Sequence, residues 1–528
     1  MTDRLVPFPY VDIASALAAC ADNDRVGIAP GTYTGANNRG LALGALSPIQ
    51  ISIEGTGARP SDTIIDCESL DRFLTASNPP GGQVKNLTIQ HGLATGAPGA
   101  KWGGGIKSVY AAPGLLADFI IDKVYFVDCH AERGGGLSHN GGQAYTNNPI
   151  LRVKNSRFLS CIASQIDVGT GSGGGAYLYE GMTEMINIAF RACEAPDAAY
   201  GYGGGIGQIA GKLDAKYITV RECIAGSLGG GWSLYGLLEG NVSHIENSIF
   251  WANVSNGAPG SKGNQIAIWN AYRAGAVNVL YANGPDDFYA PFGWIVTPEP
   301  QPPNQNPLYV DPLNLDAPPY RIFCIGQIAA GQGADSPALD SGSEPAATAP
   351  IAGLSTRTDG QPDIATADRG YHNEAAPPNH TVSFVTDGTP GATITGTNPQ
   401  TVADGGDCTP VTAHAPPGFV FVNWTLAGPP YSTDNPLTVL NVTADMTLTA
   451  NFAPIPPAPF PPFNTVKPRG CFNCDHYQEY GGELDAGECR AHPPVRCCGR
   501  TQPDKNNWPQ VDNLNHRIWC DEWKRRIE

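Results

Sequence analysis

The sequence predicts a mainly β protein, in which a parallel β-helix is followed by a small β domain and a small, cysteine-rich, metal-stabilised domain. Two short motifs recur about every 30 residues through the first 295 residues, a period typical of solenoids. Alternating apolar residues fill the segments between the motifs, and helical periodicity is nearly absent after residue 22. The last 58 residues hold six of the fourteen cysteines. A segment with so few apolar side chains needs covalent staples or a metal to fold.

The first motif is a glycine triplet and the second is an apolar-x-x-[Cys/Asn] tetrad. Triplets occur at 103–105, 134–136, 173–175, 203–205 and 229–231, and tetrads end at Cys129, Cys161, Cys193, Cys223 and Asn253. The tetrad ends are 32, 32, 30 and 30 residues apart. Glycine permits tight corners with positive φ, and strands that turn one rung at a time form a parallel β-helix. Segments of different length separate each tetrad from the next triplet, and variable loops on one corner usually form the working face of a solenoid.

This repeat segment resembles the pectate-lyase-like right-handed parallel β-helices, in particular those with the GGA[ILV] and FxxN motifs of polymorphic outer-membrane proteins. In this chain Cys replaces the Asn of FxxN in four of five copies. The resemblance implies a capping helix at 11–20, a first strand at 25–34, and an exit through 336–343 and 368–372. It covers about 370 residues and implies a right-handed fold rather than an activity.

The four tetrad cysteines are expected to stack on successive rungs of the predicted coil. Neighbouring rungs are about 4.8 Å apart, so a redox or metal-binding ladder and disulfides are both geometrically conceivable. Cysteine is, however, among the residue types most often buried. We therefore expect a column of small, buried, free thiols.

The best candidate for catalysis in the β-helix is the run Asp128-Cys-His-Ala-Glu-Arg133. Many β-helices that cleave acidic polysaccharides use carboxylates with calcium or a basic proton acceptor. Strand alternation places Asp128 and His130 opposite Cys129, so both face solvent if that cysteine faces the interior. We expect a polar, solvated corner here, with His91, His139 and His244 isolated. The sequence therefore assigns no catalytic residue and leans against an enzyme.

Four segments are expected along the chain: the β-helix with its entry cap and exit segment at 1–374, a small β repeat domain at 380–453, a proline-rich linker at 454–468, and the cysteine-rich domain at 469–528. The proline-rich run 297–307 is interpreted as a loop inserted before the exit segment. Within 380–453, the run Gly418-Phe-Val-Phe-Val-Asn-Trp424 resembles the repeat modules of bacterial surface proteins. We expect about five strands in this domain, with Trp424 in their core and a spacer or weakly adhesive role.

The cysteine-rich domain leaves three chemistries open. Its cysteines are Cys471, Cys474, Cys489, Cys497, Cys498 and Cys520. Three disulfides would suit a small exposed domain. Alternatively, the C-x-x-C spacing of the first two suits a zinc knuckle, and four thiolates can hold an iron–sulfur cluster.

The third chemistry has a specific resemblance. The C-x-x-C run followed by Tyr477, the run Gly487-Glu-Cys489 and the ending Trp519-Cys520-Asp-Glu-Trp523 are similar to the high-potential iron–sulfur proteins. The resemblance implies a [4Fe-4S] cluster, with zinc as the alternative, and nearby aromatics that exclude water. The implied ligands are Cys471, Cys474, Cys489 and Cys520. The vicinal pair Cys497-Cys498 lies outside that ligand set.

Composition narrows the possible partners. The formal net charge of −17 argues against nucleic acid or an anionic membrane surface as the main partner. No stretch approaches 18 apolar residues, so no membrane insertion is expected. The first 20 residues lack the basic and apolar regions of a secretory signal. A phage virion suits such a protein, because tail fibres and tailspikes are made in the host cytoplasm and leave by lysis.

We therefore expect a structural, receptor-binding appendage of a phage virion, such as a tail fibre or tailspike. Its expected partners are other virion tail proteins and a host cell-surface receptor, with a glycan as the receptor class. One alternative is a polysaccharide-degrading β-helix enzyme, a lyase or hydrolase. Another is an adhesin on a bacterial cell surface with a zinc- or disulfide-stapled tip.

Overall fold

The computed structural model divides the chain into two compact units, residues 1–377 and 378–528. It describes residues 2–43, 50–77, 79, 81–94, 96, 100–110, 118–142, 150–164, 171–236, 243–257, 263–269, 274–281, 287–289, 305–310, 323–374, 379–403, 405–456, 477–479 and 487–489. Residues 297–304 of the predicted loop and most of the predicted linker and cysteine-rich domain therefore lie outside the described residues.

The first unit begins with a short cap. Its elements are β1 (Asp3–Val6), α1 (Ile13–Ala18), β2 (Asp24–Ile28), β3 (Gly31–Tyr33), β4 (Leu41–Leu43), β5 (Ile51–Gly55), β6 (Thr63–Asp66) and β7 (Leu74–Ser77), with short 3₁₀ turns at Ala36–Asn38 and Pro60–Asp62. Asp12 caps α1, since its carboxylate accepts a hydrogen bond from Ser15 N at 2.8 Å. Ile13 and Ala16 are buried against the coil. The helix is shorter than predicted, and the predicted first strand is two strands preceded by β1.

Nineteen further strands build the coil in the described part of unit 1. They are β8 (Gln83–Gln90), β9 (Ile106–Val109), β10 (Phe119–Val127), β11 (His130–Ala131), β12 (Leu137–Asn140), β13 (Ile150–Leu159), β14 (Ile162–Ala163), β15 (Ala176–Tyr179), β16 (Met182–Arg191), β17 (Glu194–Ala195), β18 (Ile206–Ile209), β19 (Lys212–Arg221), β20 (Ile224–Ala225), β21 (Trp232–Tyr235), β22 (Ser243–Trp251), β23 (Val254–Ser255), β24 (Ile266–Trp269), β25 (Ala274–Tyr281) and β26 (Phe288–Tyr289).

These strands form three parallel sheets, as a parallel β-helix requires. The first sheet runs β1-β2-β5-β8-β10-β13-β16-β19-β22-β25, with β3 and β6 beside it. The second sheet runs β26-β24-β21-β18-β15-β12-β9-β7-β4, and the third runs β11-β14-β17-β20-β23. From β10 to β24 each rung contributes a long strand, a two-residue strand and a four-residue strand in turn. The architecture confirms the mainly β, parallel β-helix prediction.

Left-handed backbone conformations turn the chain at the corners of each rung. One column bends the long strands, with φ between +48° and +59° at Lys123, Asn155, Asn187, Tyr217 and Asn247. A second column follows the long strands, with φ between +49° and +59° at Asp128, Ser160, Ala192, Glu222 and Ala252. Asparagine tolerates this conformation better than most side chains, and three of the five residues in the first column are asparagine.

The glycine triplet makes the third corner, and each of its positions has a separate reason. Gly134 has φ +66°, where an L side chain is strained. A Cβ on Gly135 would lie 2.4 Å from the carbonyl oxygen of Gly174 on the next rung. A Cβ on Gly136 would lie 2.7 Å from the ring of Phe158. The first glycine of the triplet thus makes a turn, the second allows close approach of the next rung's backbone, and the third leaves space for an aromatic ring.

The tetrad residues stack inside the coil. The rings of Phe126, Phe158 and Phe190 lie in register, with centroids 4.6 Å apart and an interplanar angle of 9° at each step. Val220 and Phe250 continue the column. This column belongs to one continuous core that runs from Val6 to Ile268 among the described residues.

The exit segment returns along the outside of the coil. Its elements are a 3₁₀ turn (Ile328–Ala330), β27 (Leu354–Ser355) and β28 (Asn373–Glu374), with β27 and β28 antiparallel. We call residues 370–374 the exit strap, because each contacts a different rung. The partners are Asn247 for Gly370, Thr219 for Tyr371, Asn187 for His372, Arg157 for Asn373 and Lys123 for Glu374.

The second unit has seven strands among its residues 379–456. They are β29 (Asn379–Thr386), β30 (Thr393–Thr395), β31 (Gln400–Ala403), β32 (Thr412–His414), β33 (Phe419–Leu426), β34 (Pro430–Ser432) and β35 (Met446–Pro454). Five form a sheet in the order β31-β29-β35-β33-β34, and β30 pairs with β32. Trp424 is fully buried beside Phe384 and Phe421, so the predicted core role is confirmed. Two short strands near the C-terminus, β36 (Tyr477–Glu479) and β37 (Gly487–Cys489), pair antiparallel.

Candidate functional site

The predicted acidic run does not converge on one point. Asp128 is exposed at a corner of the coil, and Cys129 is buried in the core. His130 contacts the hydroxyl of Ser164 on the next rung, and burial lowers its pKa. Arg133 reaches the outer face of the second sheet, where it hydrogen-bonds to Tyr177. The run therefore supplies side chains to separate surfaces, and these contacts do not assemble a catalytic pair.

The predicted thiol column is present and buried. Cys129, Cys161, Cys193 and Cys223 are free and have no exposed surface. Burial raises the pKa of the Cys161 and Cys193 thiols well above the usual value, so the reactive thiolate is scarce there. Each thiol sits where its S–H can donate to a backbone carbonyl, as Cys193 Sγ does to Phe158 O at 3.4 Å.

The asparagine that ends the fifth tetrad explains what the cysteines replace. Asn253 Nδ2 donates to Val220 O at 2.9 Å, the carbonyl that corresponds to Phe158 O two rungs earlier. Its Oδ1 also accepts from Cys223 N at 2.9 Å. Cysteine is smaller than asparagine and keeps one of these two hydrogen bonds, the one donated to the carbonyl of the preceding rung. The column is therefore a packing feature of the corner, in agreement with the expected buried, free thiols.

The predicted cofactor ligands fall outside what the structure describes. Cys471, Cys474 and Cys520 lie outside the described residues, as does the pair Cys497-Cys498. For Cys489 the structure describes the backbone, which pairs with Tyr477 across β36 and β37. The ligand set remains a prediction from the sequence.

His372 of the exit strap and two nearby carboxylates form a group of the kind that can hold a metal. Ligand atoms of Asp363, Asp368 and His372 lie within 4.8 Å of one another. His372 Nε2 lies 3.0 Å from Asp363 Oδ2, and His372 Nδ1 lies 2.9 Å from Gly370 O. Both ring nitrogens are therefore held by neighbouring oxygens of the exit segment.

The second carboxylate of this group is fully engaged in the fold. Asp368 Oδ1 accepts from Asp340 N at 2.7 Å, while Oδ2 accepts from Gln327 Nε2 at 3.1 Å and from the hydroxyl of Thr356. Burial, and then the nearby charge of Asp363, raise the pKa of Asp368 to about 6. These hydrogen bonds fit a clamp that closes the exit segment better than an open coordination site.

A small cavity of about 160 Å³ lies between the exit strap and the long strands. Lys123 and Glu374 form an ion pair across it at 2.6 Å. Arg157 lies over the ring of Tyr125 at 4.4 Å and donates to the hydroxyl of Tyr371 at 2.9 Å. The polar groups around the cavity therefore bind one another, and together they attach the exit strap to the coil.

The outer side of the second sheet carries a different kind of surface. Alternate residues of its strands face outward, and the outward positions include several aromatic rings. We call the group Trp102, Arg133, Tyr177, Tyr179, Tyr202 and Tyr235 the aromatic face. The residue before each glycine triplet also lies on this side. These residues form a column of single parallel bridges, whose members are Trp102, Arg133, Ser172, Tyr202 and Leu228.

One end of the aromatic face is a closely packed cluster. The Trp102 ring lies 5.6 Å from Tyr177 and 6.2 Å from Tyr179, centroid to centroid. The guanidinium of Arg133 lies over both Trp102, at 5.2 Å, and Tyr177, at 5.3 Å. These distances suit cation–π contacts. Tyr177 is fully buried beneath these neighbours, although it is outside the internal core.

Further basic side chains surround this cluster. Lys107 Nζ lies 6.0 Å from the Trp102 ring, and the pKa of Lys107 is lowered by burial and by the charge of Arg72. Arg72 itself donates to the carbonyl oxygens of Trp102 and Ala100. Three basic side chains, Arg133, Lys107 and Arg72, thus lie around one indole ring, with the carboxylate of Asp71 beside Arg72 and that of Glu180 beside Tyr179.

A partial signal for this surface is present in the sequence. The variable corner that was predicted to be the working face leads directly into it, because the segments after β11, β14, β17 and β20 end at the triplets. The rings themselves were missed, since Trp102 and Tyr177 are 75 positions apart and meet only through the rung register. Tyrosines at outward positions of β15 and β21 were the available signal.

Comparisons with known proteins identify one segment. Residues 381–456 match the family described as "Divergent InlB B-repeat domain", which fits the predicted repeat module in the second unit. Neither the curated proteins nor the solved structures yielded a match. In the part of the chain that the structure describes, no helix is long and apolar enough to cross a membrane.

Proposed function

We propose that the chain is a receptor-binding appendage, displayed outside a particle or cell, that recognises a host-surface glycan through the side of its β-helix. The observation that carries the proposal is the aromatic face. Tryptophan, tyrosine and arginine are the side chains that dominate binding surfaces. Here they lie together on the outer side of a sheet, next to the corner where loop length varies.

The coil is suited to present such a surface rigidly. Successive strands hold a constant register, as in Tyr179 to Ile209 to Tyr235 across three rungs. The exit strap binds five rungs together from outside. A ligand therefore meets rings at fixed spacings, which reduces the entropy lost on binding.

A polysaccharide-degrading enzyme is supported less well by the same contacts. Two carboxylates about 5–10 Å apart and open to a substrate are the usual need of glycoside hydrolysis. Asp363 and Asp368 are close together, but both are engaged in hydrogen bonds inside the exit segment. Asp128 is exposed yet lies apart from Arg133, which contributes to the aromatic face.

Two carriers for the appendage are proposed in order. The first is a phage virion, in which the chain joins other tail proteins as a fibre or tailspike. The second is a bacterial cell surface, which the Divergent InlB B-repeat match at 381–456 favours. Antibody against the chain, applied to purified virions and to whole bacteria in electron microscopy, separates the two. Label on tails supports the first carrier, and label on bacterial envelopes without virions contradicts it.

We also propose that the C-terminal domain holds a [4Fe-4S] cluster on Cys471, Cys474, Cys489 and Cys520. The support is the sequence spacing of these cysteines and their neighbouring aromatics. Purified chain should contain about four irons per molecule and absorb broadly near 400 nm. Colourless protein with stoichiometric zinc would instead establish the alternative cofactor.

Binding to host cells tests the main proposal. Fluorescently labelled full-length chain is added to candidate host bacteria before and after periodate oxidation of their glycans, and in parallel after protease treatment. We expect saturable binding that periodate removes and protease leaves. Binding that survives periodate and is lost with protease would contradict a glycan receptor.

A further inference from the structure

We propose that the aromatic face is the binding surface for a glycan strand that carries a uronic acid at the Trp102 end. The inference rests on the proposed receptor-binding function and assigns its site and ligand class. It places the strand across the rungs of the second sheet, with the carboxylate of the acidic sugar beside Arg133 and neutral sugars stacked on the tyrosines beyond.

The rings extend along the coil over several rungs. Trp102 precedes β9, whereas Tyr235 ends β21, four rungs further on. At about 4.8 Å per rung, the face is roughly 19 Å long. Tyr179 and Tyr202 occupy rungs between these ends. A line of rings of this length matches an extended chain of several sugar units better than a single small molecule.

The chemistry of the face suits sugars in particular. Pyranose rings have apolar C–H faces that stack on aromatic rings, and hydroxyl rims that hydrogen-bond to phenols. Tyrosine offers both properties, because its ring is apolar and its hydroxyl donates and accepts. Tyr200, beside Tyr202, is 51% exposed and extends the aromatic surface outward.

The charge distribution selects an acidic sugar at one end. Arg133 and Lys107 lie over the Trp102 ring, with Arg72 close by. Arginine recognises carboxylates through paired N–H donors. Acidic side chains lie farther along the face, since Glu180 contacts Tyr179 and Asp197 lies near Tyr202, one rung before Tyr235.

This asymmetry also separates the proposal from nucleic acid. Aromatic rings with arginines bind single strands through stacked bases and phosphates. A phosphate at every nucleotide would, however, meet Asp197 on a chain with a net charge of −17. A strand with intermittent carboxylates can place one of them beside Arg133 and Lys107 and keep uncharged sugars beside Glu180 and Asp197.

The test measures retention of defined polymers by the immobilised full-length chain. The probes are hyaluronate, with a carboxylate on alternate sugars, polygalacturonate, dextran, which is neutral, and oligo-dT. We expect hyaluronate to be retained, more weakly at high salt, and dextran and oligo-dT to pass. Equal retention of dextran, preferred retention of oligo-dT, or failure to retain either uronate polymer would overturn the proposal.

Variants at the two ends of the face locate the site. Trp102→Ala and Tyr235→Ala should each weaken hyaluronate binding roughly tenfold. Arg133→Gln should weaken that binding as well and should remove most of the salt dependence of the binding. Phe8→Ala is the matched control, since Phe8 is an exposed aromatic in the entry cap of the same unit. Far-UV circular dichroism and the melting temperature of each variant verify folding.

The outcome distinguishes this inference from the broader function. If both end variants are folded and bind hyaluronate like the control, the site is elsewhere and the inference is wrong. If the wild-type chain binds periodate-sensitive receptors on cells while both end variants bind those cells equally well, the receptor-binding function stands without this binding surface. If the chain binds neither cells nor any polymer, the function itself is wrong.

Discussion

At the scale of single residues, the fold depends on a few positions where side-chain chemistry and backbone geometry coincide. The tetrad cysteine is one, because a thiol fills the corner and donates to a carbonyl with little volume. Asp368 is another, since it collects donors from three parts of the exit segment. Both kinds of residue are buried, and burial raises the pKa of Asp368 and of the Cys161 and Cys193 thiols.

The buried thiols should be chemically silent in the folded chain. Iodoacetamide followed by peptide mass spectrometry should leave Cys129, Cys161, Cys193 and Cys223 unmodified in buffer and modify all four in denaturant. The reason is that none of the four has exposed surface that the reagent can reach, and burial also raises the pKa of the Cys161 and Cys193 thiols. Alkylation of these four in the native chain at the denatured rate, or disulfides between them, would contradict the buried column.

Asp368 should make the first unit more resistant to unfolding as the pH falls from 7 to 5. Its pKa is about 6 in the folded chain against an ordinary 3.8, so the folded state binds the proton first. That stability is present at low pH and is lost as the pH rises through 6. Chemical denaturation should therefore show Asp368→Asn losing about 1 kcal/mol more, relative to wild type, at pH 5 than at pH 7.

Asp128→Asn is the control for this titration. Asp128 is exposed at a left-handed corner that asparagine also adopts readily. This variant measures how much the difference from wild type changes between pH 5 and pH 7 when one exposed carboxylate is lost. An Asp368→Asn difference that changes no more than the control's would contradict the prediction.

At the scale of elements, the exit strap holds the coil closed from outside. His372 exchanges two backbone hydrogen bonds with the Asn187 side chain, at 2.7 and 2.9 Å. Asn187 lies in β16 and has φ +59°. The bend that it makes in the long strand therefore also presents its side-chain amide to the exit strap. One conformational choice in the strand therefore serves both the turn and the attachment.

Gly370→Ala should detach the strap. Gly370 has φ +90°, and a Cβ there would lie 2.6 Å from Thr219 Oγ1 and 2.8 Å from Ile249 Cδ1. We expect a loss of roughly 2–3 kcal/mol in the free energy of unfolding. Gly331→Ala is the matched control, because Gly331 has φ +88° and nothing within 4 Å of the added Cβ. Equal losses in the two variants would mean that strain, and not the strap contact, is responsible.

Local patterns in the sequence were sufficient for the coil but not for its surfaces. The triplets and tetrads repeat because every rung meets the same constraint, as Gly136 meets Phe158. The exit strap depends instead on pairs such as Arg157 and Asn373, which are 216 positions apart. The rungs that contain β4 and β7 lack a glycine triplet, and the repeat pattern therefore missed them. In the rung that contains β24, only the first glycine of the triplet, Gly263, is present.

The aromatic face shows the same division within one site. The sequence indicated the corner from its variable loops, and the resemblance to β-helices indicated the sheets. Which rings share the outer side was decided by the register that brings Tyr179 and Tyr235 into one column with Ile209 between them. Long-range register is a property of the assembled coil, so single-strand patterns do not contain it.

At the scale of the whole molecule, a coil with the proposed binding side is followed in sequence by a β repeat module and by the predicted cysteine-rich domain. Among the described residues the coil has one continuous core and an external strap, and the neighbouring carboxylates Asp363 and Asp368 accept hydrogen bonds inside the exit segment. Binding without chemical change to the ligand is therefore the central expectation.

One measurement tests that expectation most directly. Full-length chain is incubated with the purified surface polysaccharide of a bacterium that it binds, and bound polymer and polymer length are measured in the same samples over time. The account predicts saturable binding while the length distribution and the number of reducing and unsaturated ends stay constant. Progressive shortening of the polysaccharide, with new ends in proportion to the amount of chain, would contradict it.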